Sequence, residues 1–87
     1  MEKKVKILNE SGLHARPAAI FVRAASKYKC DVNIEANNSI YNAKSIMGIM
    51  SLGAKKGDEI KIITDGIGEK EAMDELVGLI ESKFGEE

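Results

Sequence analysis

The hydrophobic pattern of this 87-residue chain changes its period repeatedly, and these changes restrict the possible folds more than any other feature. Apolar and polar residues alternate in three segments, residues 5–7, 32–36 and 60–62, which predicts strands with one buried face. We expect the first strand to end near Asn9. Asn-Asn-Ser at residues 37–39 predicts a hairpin turn, because Asn tolerates positive φ, and a short strand follows over residues 40–42.

Apolar residues spaced three and four apart predict three helices. The first begins after His14 and has this apolar stripe: Ala18, Phe21, Val22, Ala25 and Tyr28 or Lys29. The second runs from a cap at Ser45 to Gly53, a residue type favoured just beyond a helix end. The third begins after Gly68, carries Lys83 in its last turn and has this stripe: Met73, Leu76, Val77, Ile80 and Phe84.

The resulting order, β-α-β-β-α-β-α, predicts an α+β fold in one domain spanning residues 1–87. Each strand has one apolar face, so we expect an antiparallel sheet covered by helices on one side.

Composition excludes several classes of protein. The 13 basic and 14 acidic residues give a net charge of −1, which argues against a nucleic-acid binder. No run approaches the roughly 20 apolar residues of a membrane span, and no signal peptide is recognisable, so we expect a cytoplasmic protein that does not insert into membranes. The single cysteine, Cys30, cannot form an intramolecular disulfide and is interpreted as a packing residue.

The chain's one histidine lies in the segment Ser-Gly-Leu-His-Ala-Arg-Pro-Ala, residues 11–18, between a predicted strand and a predicted helix. Pro17 suits the first helical turn, where a missing N–H costs little. The N–H groups of Ala15 and Arg16 have no intrahelical acceptors there and can face an anion. The Arg16 guanidinium can bind phosphate oxygens bidentately. The segment therefore predicts a phosphate site beside His14.

A neutral imidazole is nucleophilic near pH 7, and phosphorylation of a ring nitrogen produces a labile phosphoramidate suited to onward transfer. The alternative is that His14 is an ordinary loop histidine or an indifferent helix cap. A metal site is not expected, because neighbouring ligands are lacking.

Residues 12–18, Gly-Leu-His-Ala-Arg-Pro-Ala, resemble the active-site motif of HPr, the histidine-containing phosphocarrier of the bacterial sugar phosphotransferase system. The resemblance implies an open-faced β-sandwich, with a four-stranded antiparallel sheet of order 1-4-2-3 and three helices on one face. It implies that His14 accepts phosphate at Nδ1 from phospho-enzyme I and donates it to IIA domains of sugar permeases. Such a protein is a phosphoryl-group carrier rather than an enzyme. We expect a monomer that needs no cofactor.

The second predicted helix has an unusually wide apolar surface. Its apolar residues spread over roughly 220° of the circumference, whereas a core-facing stripe needs only about 100°. We therefore expect some of Ile46, Met47 and Met50 to face water and to dock partner proteins, since flexible Met side chains adapt to several surfaces. The alternative is a helix fully covered by a loop.

Ser45 has two compatible roles. As a helix cap it is worth about 1 kcal/mol. Residues 45–53 also resemble the regulatory site of HPr proteins of Gram-positive-type bacteria, which implies phosphorylation of Ser45 by HPr kinase/phosphorylase. The resemblance further implies that the protein phosphorylated on Ser45 is phosphorylated more slowly on His14 and acts as a corepressor with catabolite control protein A.

Two other functions stay open at this point. One is a regulator that acts only through Ser45. The other is a small nucleic-acid-binding α+β domain, which the net charge and the small aromatic content of two Phe and two Tyr disfavour.

Overall fold

The computed structural model describes residues 1–86 and contains four strands and three helices over that range. Their order confirms the predicted β-α-β-β-α-β-α arrangement. The elements are β1 (Glu2–Lys6), α1 (Ala15–Ser26), β2 (Asp31–Ala36), β3 (Ser39–Asn42), α2 (Ile46–Leu52), β4 (Glu59–Asp65) and α3 (Glu69–Glu81). A 3₁₀ turn, Lys83–Gly85, follows α3. No helix among residues 1–86 is long and apolar enough to cross a membrane.

The strands form one antiparallel sheet in the order β1-β4-β2-β3, which confirms the expected order 1-4-2-3. Register follows the hydrophobic pattern: Ile62 of β4 lies opposite Ile34 of β2, and Ile60 lies opposite Val5 of β1. Because strand side chains alternate in direction, this pairing aligns the apolar residues on one face of the sheet.

That apolar face packs against the helices to form the core. The largest fully buried apolar side chains come from the strands, the helices and the segment between β1 and α1: Ile7, Leu13, Phe21, Ile34, Ile49, Ile60, Ile62, Leu76 and Ile80. The opposite face of the sheet is charged, and Lys61 Nζ lies 2.9 Å from Glu35 Oε1 and 3.3 Å from Glu2 Oε1. The sheet is thus open on its polar side.

The hairpin between β2 and β3 confirms the predicted turn. Asn37 and Asn38 adopt φ values of 52° and 65°, the left-handed region that Asn tolerates better than most residues. Ser39 already belongs to β3.

Several element ends differ from prediction. β1 ends at Lys6 rather than near Asn9, although Ile7 stays buried and donates its N–H to Asp58 O at 2.9 Å. In α1, Ala24 is buried while Val22 is only half-buried, and the helix ends at Ser26. Tyr28 and Lys29 therefore lie beyond the helix, the first half-buried and the second exposed.

The predicted placement of Lys83 in the last turn of α3 is wrong, because the helix ends at Glu81. Lys83 and Phe84 have φ values of 59° and 54°, and left-handed backbone cannot continue a right-handed helix. The reversal still buries Phe84 in the core, as its place in the apolar stripe predicts.

Candidate functional site

His14 stands at the entrance of α1 with an exposed side chain. It occupies the cap position, with extended backbone at φ −133° and ψ 151°, but its imidazole makes no capping hydrogen bond. Ser, Thr, Asp and Asn commonly use the side chain at this position to satisfy the helix N–H groups. The ring nitrogens of His14 have no such task, so the imidazole is presented to solvent.

The first turn of α1, directly after His14, carries groups that suit an anion. Ala15 and Arg16 are the first two residues of the helix, so their N–H groups have no intrahelical acceptor. The Arg16 side chain is exposed. Pro17 lies in the first turn, as predicted, and is buried. Ala15 has φ 49°, a left-handed value that costs a non-glycine residue energy and that sequence alone did not reveal.

A close backbone contact holds the loop that leads to His14. Gly12 has φ 66°, and a Cβ atom there would lie 2.3 Å from Ala54 O and 2.9 Å from Lys55 Cα. The next residue, Leu13, is buried and donates its N–H to Ala54 O at 3.0 Å. Glycine at residue 12 therefore permits the His14 loop to lie directly on the segment that follows α2.

A polar network also reaches this loop, and sequence reasoning missed it. Asn9 is buried, and its Nδ2 donates to Gly12 O at 2.9 Å and to Ser11 Oγ at 3.2 Å. Ser11 Oγ in turn donates to Glu86 Oε2 at 2.6 Å. The only signal in the sequence is a polar residue, Asn9, directly after an apolar strand. Nothing in the pattern links the loop to Glu86, 75 residues away.

Hydrogen bonds and charges near the His14 loop lower the pKa values of two carboxyl groups, those of Glu10 and Glu86. The hydrogen bond from Lys56, which lies 2.6 Å away, and the charge of that ammonium lower the pKa of Glu10. The hydrogen bond from Ser11 lowers the pKa of Glu86, and the charge of Arg16 acts in the same direction. The end of the molecule that carries His14 is therefore crowded with charged groups of both signs.

Helix α2 presents the predicted apolar surface. Met47 is 73% exposed, Ile46 39% and Met50 38%, whereas Ile49 and Leu52 are buried. This confirms that a short helix cannot bury so wide an apolar arc. We call Ile46, Met47 and Met50 the α2 patch.

The ends of α2 confirm its predicted caps. Ser45 Oγ accepts a hydrogen bond from the Gly48 N–H at 3.1 Å, and Gly53 has a left-handed φ of 65°. Ala54, just beyond, contacts the His14 loop through Leu13, and α1 packs against α2. The α2 patch therefore lies on a helix that packs against α1, the helix that begins directly after His14. Ser45 lies at the other end of α2, about 10 Å from Leu52 along the helix axis at a rise of 1.5 Å per residue.

Other chemistry is weakly represented. Within residues 1–86, no three His, Cys, Asp or Glu side chains cluster in a way that could hold a metal ion. Cys30 is buried, which fits its interpretation as a packing residue.

Comparison with known proteins identifies the class to which this fold and site belong. Residues 1–82 match the family model described as the PTS HPr component phosphorylation site, and the chain belongs to this HPr family. Its fold is that of the phosphocarriers of the phosphotransferase system.

Individual relatives are similar in sequence to this protein over nearly the full chain. The HPr-like protein Crh of Halalkalibacterium halodurans is 45% identical over 83 residues, covering 95% of this chain and 99% of that protein. The phosphocarrier protein HPr of Neisseria meningitidis serogroup B is 45% identical over 86 residues, covering 99% and 97%. The crystal structure of HPr-C-His from Thermoanaerobacter tengcongensis superposes with a TM-score of 0.98 at 54% identity, covering 100% of this chain and 98% of that one.

Proposed function

We propose that this chain carries a phosphoryl group on His14, taking it from phospho-enzyme I and delivering it to IIA domains of sugar permeases. The observation that supports this most directly is the exposed imidazole at the start of α1, which makes no capping bond and lies two residues before Arg16. Membership of the HPr family supports the same conclusion.

In the proposed transfer, the lone pair of His14 Nδ1 attacks the phosphorus atom of the donor's phosphohistidine. The new N–P bond forms as the donor's N–P bond breaks, and that electron pair returns to the donor's imidazole. Transfer to a IIA domain repeats the exchange with His14 as the leaving group. Phosphoryl transfer depends mainly on positioning and on stabilising charge on the equatorial oxygens. The Arg16 guanidinium and the N–H groups of Ala15 and Arg16 would supply that stabilisation.

The chain completes no catalytic cycle alone in this proposal, so it acts as a carrier and not as an enzyme. Every proposed functional group lies on one copy of the chain, and we therefore propose that it works as a monomer. The phosphate originates in phosphoenolpyruvate, a cytoplasmic metabolite, so we place the carrier in the cytoplasm.

The α2 patch is our proposed docking surface for enzyme I and the IIA domains. Its support is the exposed apolar area on a helix that adjoins α1, together with the adaptability of the two Met side chains. A partner that covered the α2 patch would come close to the His14 loop, since Ala54 contacts Leu13.

Transfer is tested by incubating the protein with enzyme I and labelled phosphoenolpyruvate. We expect an acid-labile label that is absent from His14→Ala. Replacing Arg16 by Ala should slow labelling by about 10- to 100-fold, the value of a charge-assisted hydrogen bond of about 1.5–3 kcal/mol. Arg16→Lys keeps the positive charge without the planar guanidinium, so its labelling rate should lie between those of the wild type and Arg16→Ala. A wild-type protein that takes no label would refute the carrier function.

Ser45 is our proposed regulatory site, modified by HPr kinase/phosphorylase and recognised by catabolite control protein A when phosphorylated. The geometry that supports it is the Ser45 cap, because a phosphate at a helix N-terminus is compatible with the helix. The added charge would lie on the residue next to Ile46, in the α2 patch, and would disfavour docking of an acidic partner. In the labelling assay, kinase-treated protein should accept phosphate on His14 more slowly than untreated protein.

A regulator that acts only through Ser45 is the second candidate, because Crh of Bacillus subtilis, 41% identical over 93% of this chain, is described as a catabolite repression protein. It predicts that Ser45 is modified while His14 takes no label. The two functions are thus separated by the same assay.

A further inference from the structure

The end of the described chain turns back toward the His14 loop. After α3, the residues Lys83, Phe84 and Gly85 have φ values of 59°, 54° and 79°. Non-glycine residues keep left-handed backbone only where their surroundings determine it. Here the buried Phe84 ring supplies that anchor, and the Glu86 N–H donates to Lys83 O at 2.9 Å. The reversal sets the direction in which Glu86 leaves the turn.

The Glu86 side chain ends on the loop that carries His14. Its Oε2 accepts from Ser11 Oγ at 2.6 Å and from Asn9 Nδ2 at 3.4 Å. Asn9 is 1% exposed and also holds Gly12 O, two residues before His14. One carboxylate therefore joins residue 86 to Asn9 and Ser11 in the segment that leads to His14.

The electrostatic surroundings of Glu86 include the proposed phosphate-binding arginine. The hydrogen bond from Ser11 lowers the pKa of Glu86, with smaller contributions from Asn9 and from the positive charge of Arg16. The carboxylate is thus ionised near neutral pH and lies within the field of Arg16. A dianionic phosphoryl group on His14 would enter that same field.

We infer that Glu86 is a positioning residue that braces the His14 loop in the unmodified protein and competes by charge with a phosphoryl group on His14. The inference rests on the proposed phosphorylation of His14. Phosphorylation draws Arg16 toward the new dianion and repels the Glu86 carboxylate, so the contact with Ser11 weakens. The negative charge of Glu86 raises the free energy of the phosphorylated form and favours onward transfer.

The test compares Glu86→Gln with Glu81→Gln. Both remove one negative charge, but Glu81 is an exposed residue at the end of α3. The readout is the equilibrium constant for phosphoryl transfer from enzyme I to His14. We expect Glu86→Gln to raise it by about two- to fourfold at low salt, the effect in water of one charge on a dianion at separations of roughly 20 to 10 Å. The increase should shrink at about 1 M salt, where the Debye length is about 3 Å.

A third variant separates charge from hydrogen bonding. The Gln amide oxygen can still accept from Ser11, whereas Glu86→Ala loses both the charge and the acceptor. Equal increases in the Gln and Ala variants support competition by charge. An increase only in the Ala variant would overturn it and leave a purely structural brace.

Nuclear magnetic resonance of the wild-type protein follows the tail directly. Phosphorylation of His14 should shift the amide resonances of Gly85 and Glu86 and speed their hydrogen exchange, while the amide of Gly78 in α3 stays unchanged. Unmoved tail resonances, or equal transfer constants for Glu86→Gln and Glu81→Gln, overturn the inference alone. Absence of any label on His14 refutes the carrier function, and the inference with it.

Discussion

Replacing Gly12 by Ala tests how tightly the His14 loop is held. The new methyl group would lie 2.3 Å from Ala54 O. The atoms that it would meet belong to the backbone of Ala54 and Lys55, so relieving the clash requires a backbone shift rather than a side-chain rotation. The left-handed φ of 66° costs a side chain about 1–2 kcal/mol. Overpacking adds about 1–3 kcal/mol. We expect the free energy of unfolding to fall by about 2–5 kcal/mol in total.

Gly57→Ala is the matched control. Gly57 also has a positive φ, 93°, but a Cβ atom there meets no heavy atom within 4 Å. This variant carries the backbone cost without the contact, so its loss of stability should be near the 1–2 kcal/mol of strain alone. Urea denaturation measures both values. The reasoning fails if Gly12→Ala destabilises no more than Gly57→Ala.

Any folded Gly12→Ala protein should also lose phosphotransfer, since the loop that must shift leads directly to His14. Labelling at a temperature where the variant is folded checks this. Gly57→Ala should transfer normally, because its side chain enters open space.

Three further predictions concern the α2 patch, the cap of α2 and the contact of Tyr28 with Glu75 of α3. Met47→Glu should lower kcat/KM for phosphotransfer by about five- to tenfold, with a stability change within about 0.5 kcal/mol. Ile40→Glu, at a residue of β3 that is 66% exposed, should leave transfer unchanged, and equal effects of the two variants would remove the α2 patch as a docking surface. Ser45→Ala should lose about 1 kcal/mol with its cap, seen as a lower urea midpoint, and an unchanged midpoint would contradict the cap. The hydrogen bond to Glu75 raises the pKa of Tyr28 to about 12, so its stabilisation is present below pH 10 and is lost as pH rises through 12. Tyr28→Phe should reduce that alkaline loss in a denaturation series, and an identical pH profile would refute the assignment.

The local structure of α2 could be read from sequence because its determinants lie within a few residues. Ser45 caps the helix through the N–H of Gly48, three residues on, and Gly53 ends it with a left-handed φ. The wide apolar arc correctly indicated exposed residues, since the length of the helix limits the area it can bury. The hairpin at Asn37 and Asn38 was predictable for the same local reason.

The sheet order, in contrast, could not be predicted from local sequence, because the hydrophobic pattern alone leaves open which strands become neighbours. It was expected from the resemblance of residues 12–18 to a known motif, and the structure confirms it. Alternation predicts that Ile34 and Ile62 face the core, but their pairing across β2 and β4 depends on long-range packing.

At the site, sequence by itself determined the chemical groups: one imidazole at a helix start, a guanidinium two residues on, and helix N–H groups without partners. Those features follow from residue type and helix geometry. Tertiary structure alone decided the left-handed backbone of Ala15, the contact of Gly12 with Ala54, and the bond from Ser11 to Glu86. The last two join segments distant in sequence, and such contacts exist only after the core has brought those segments together. The histidine is therefore specified locally, while the loop that holds it is set by the whole fold.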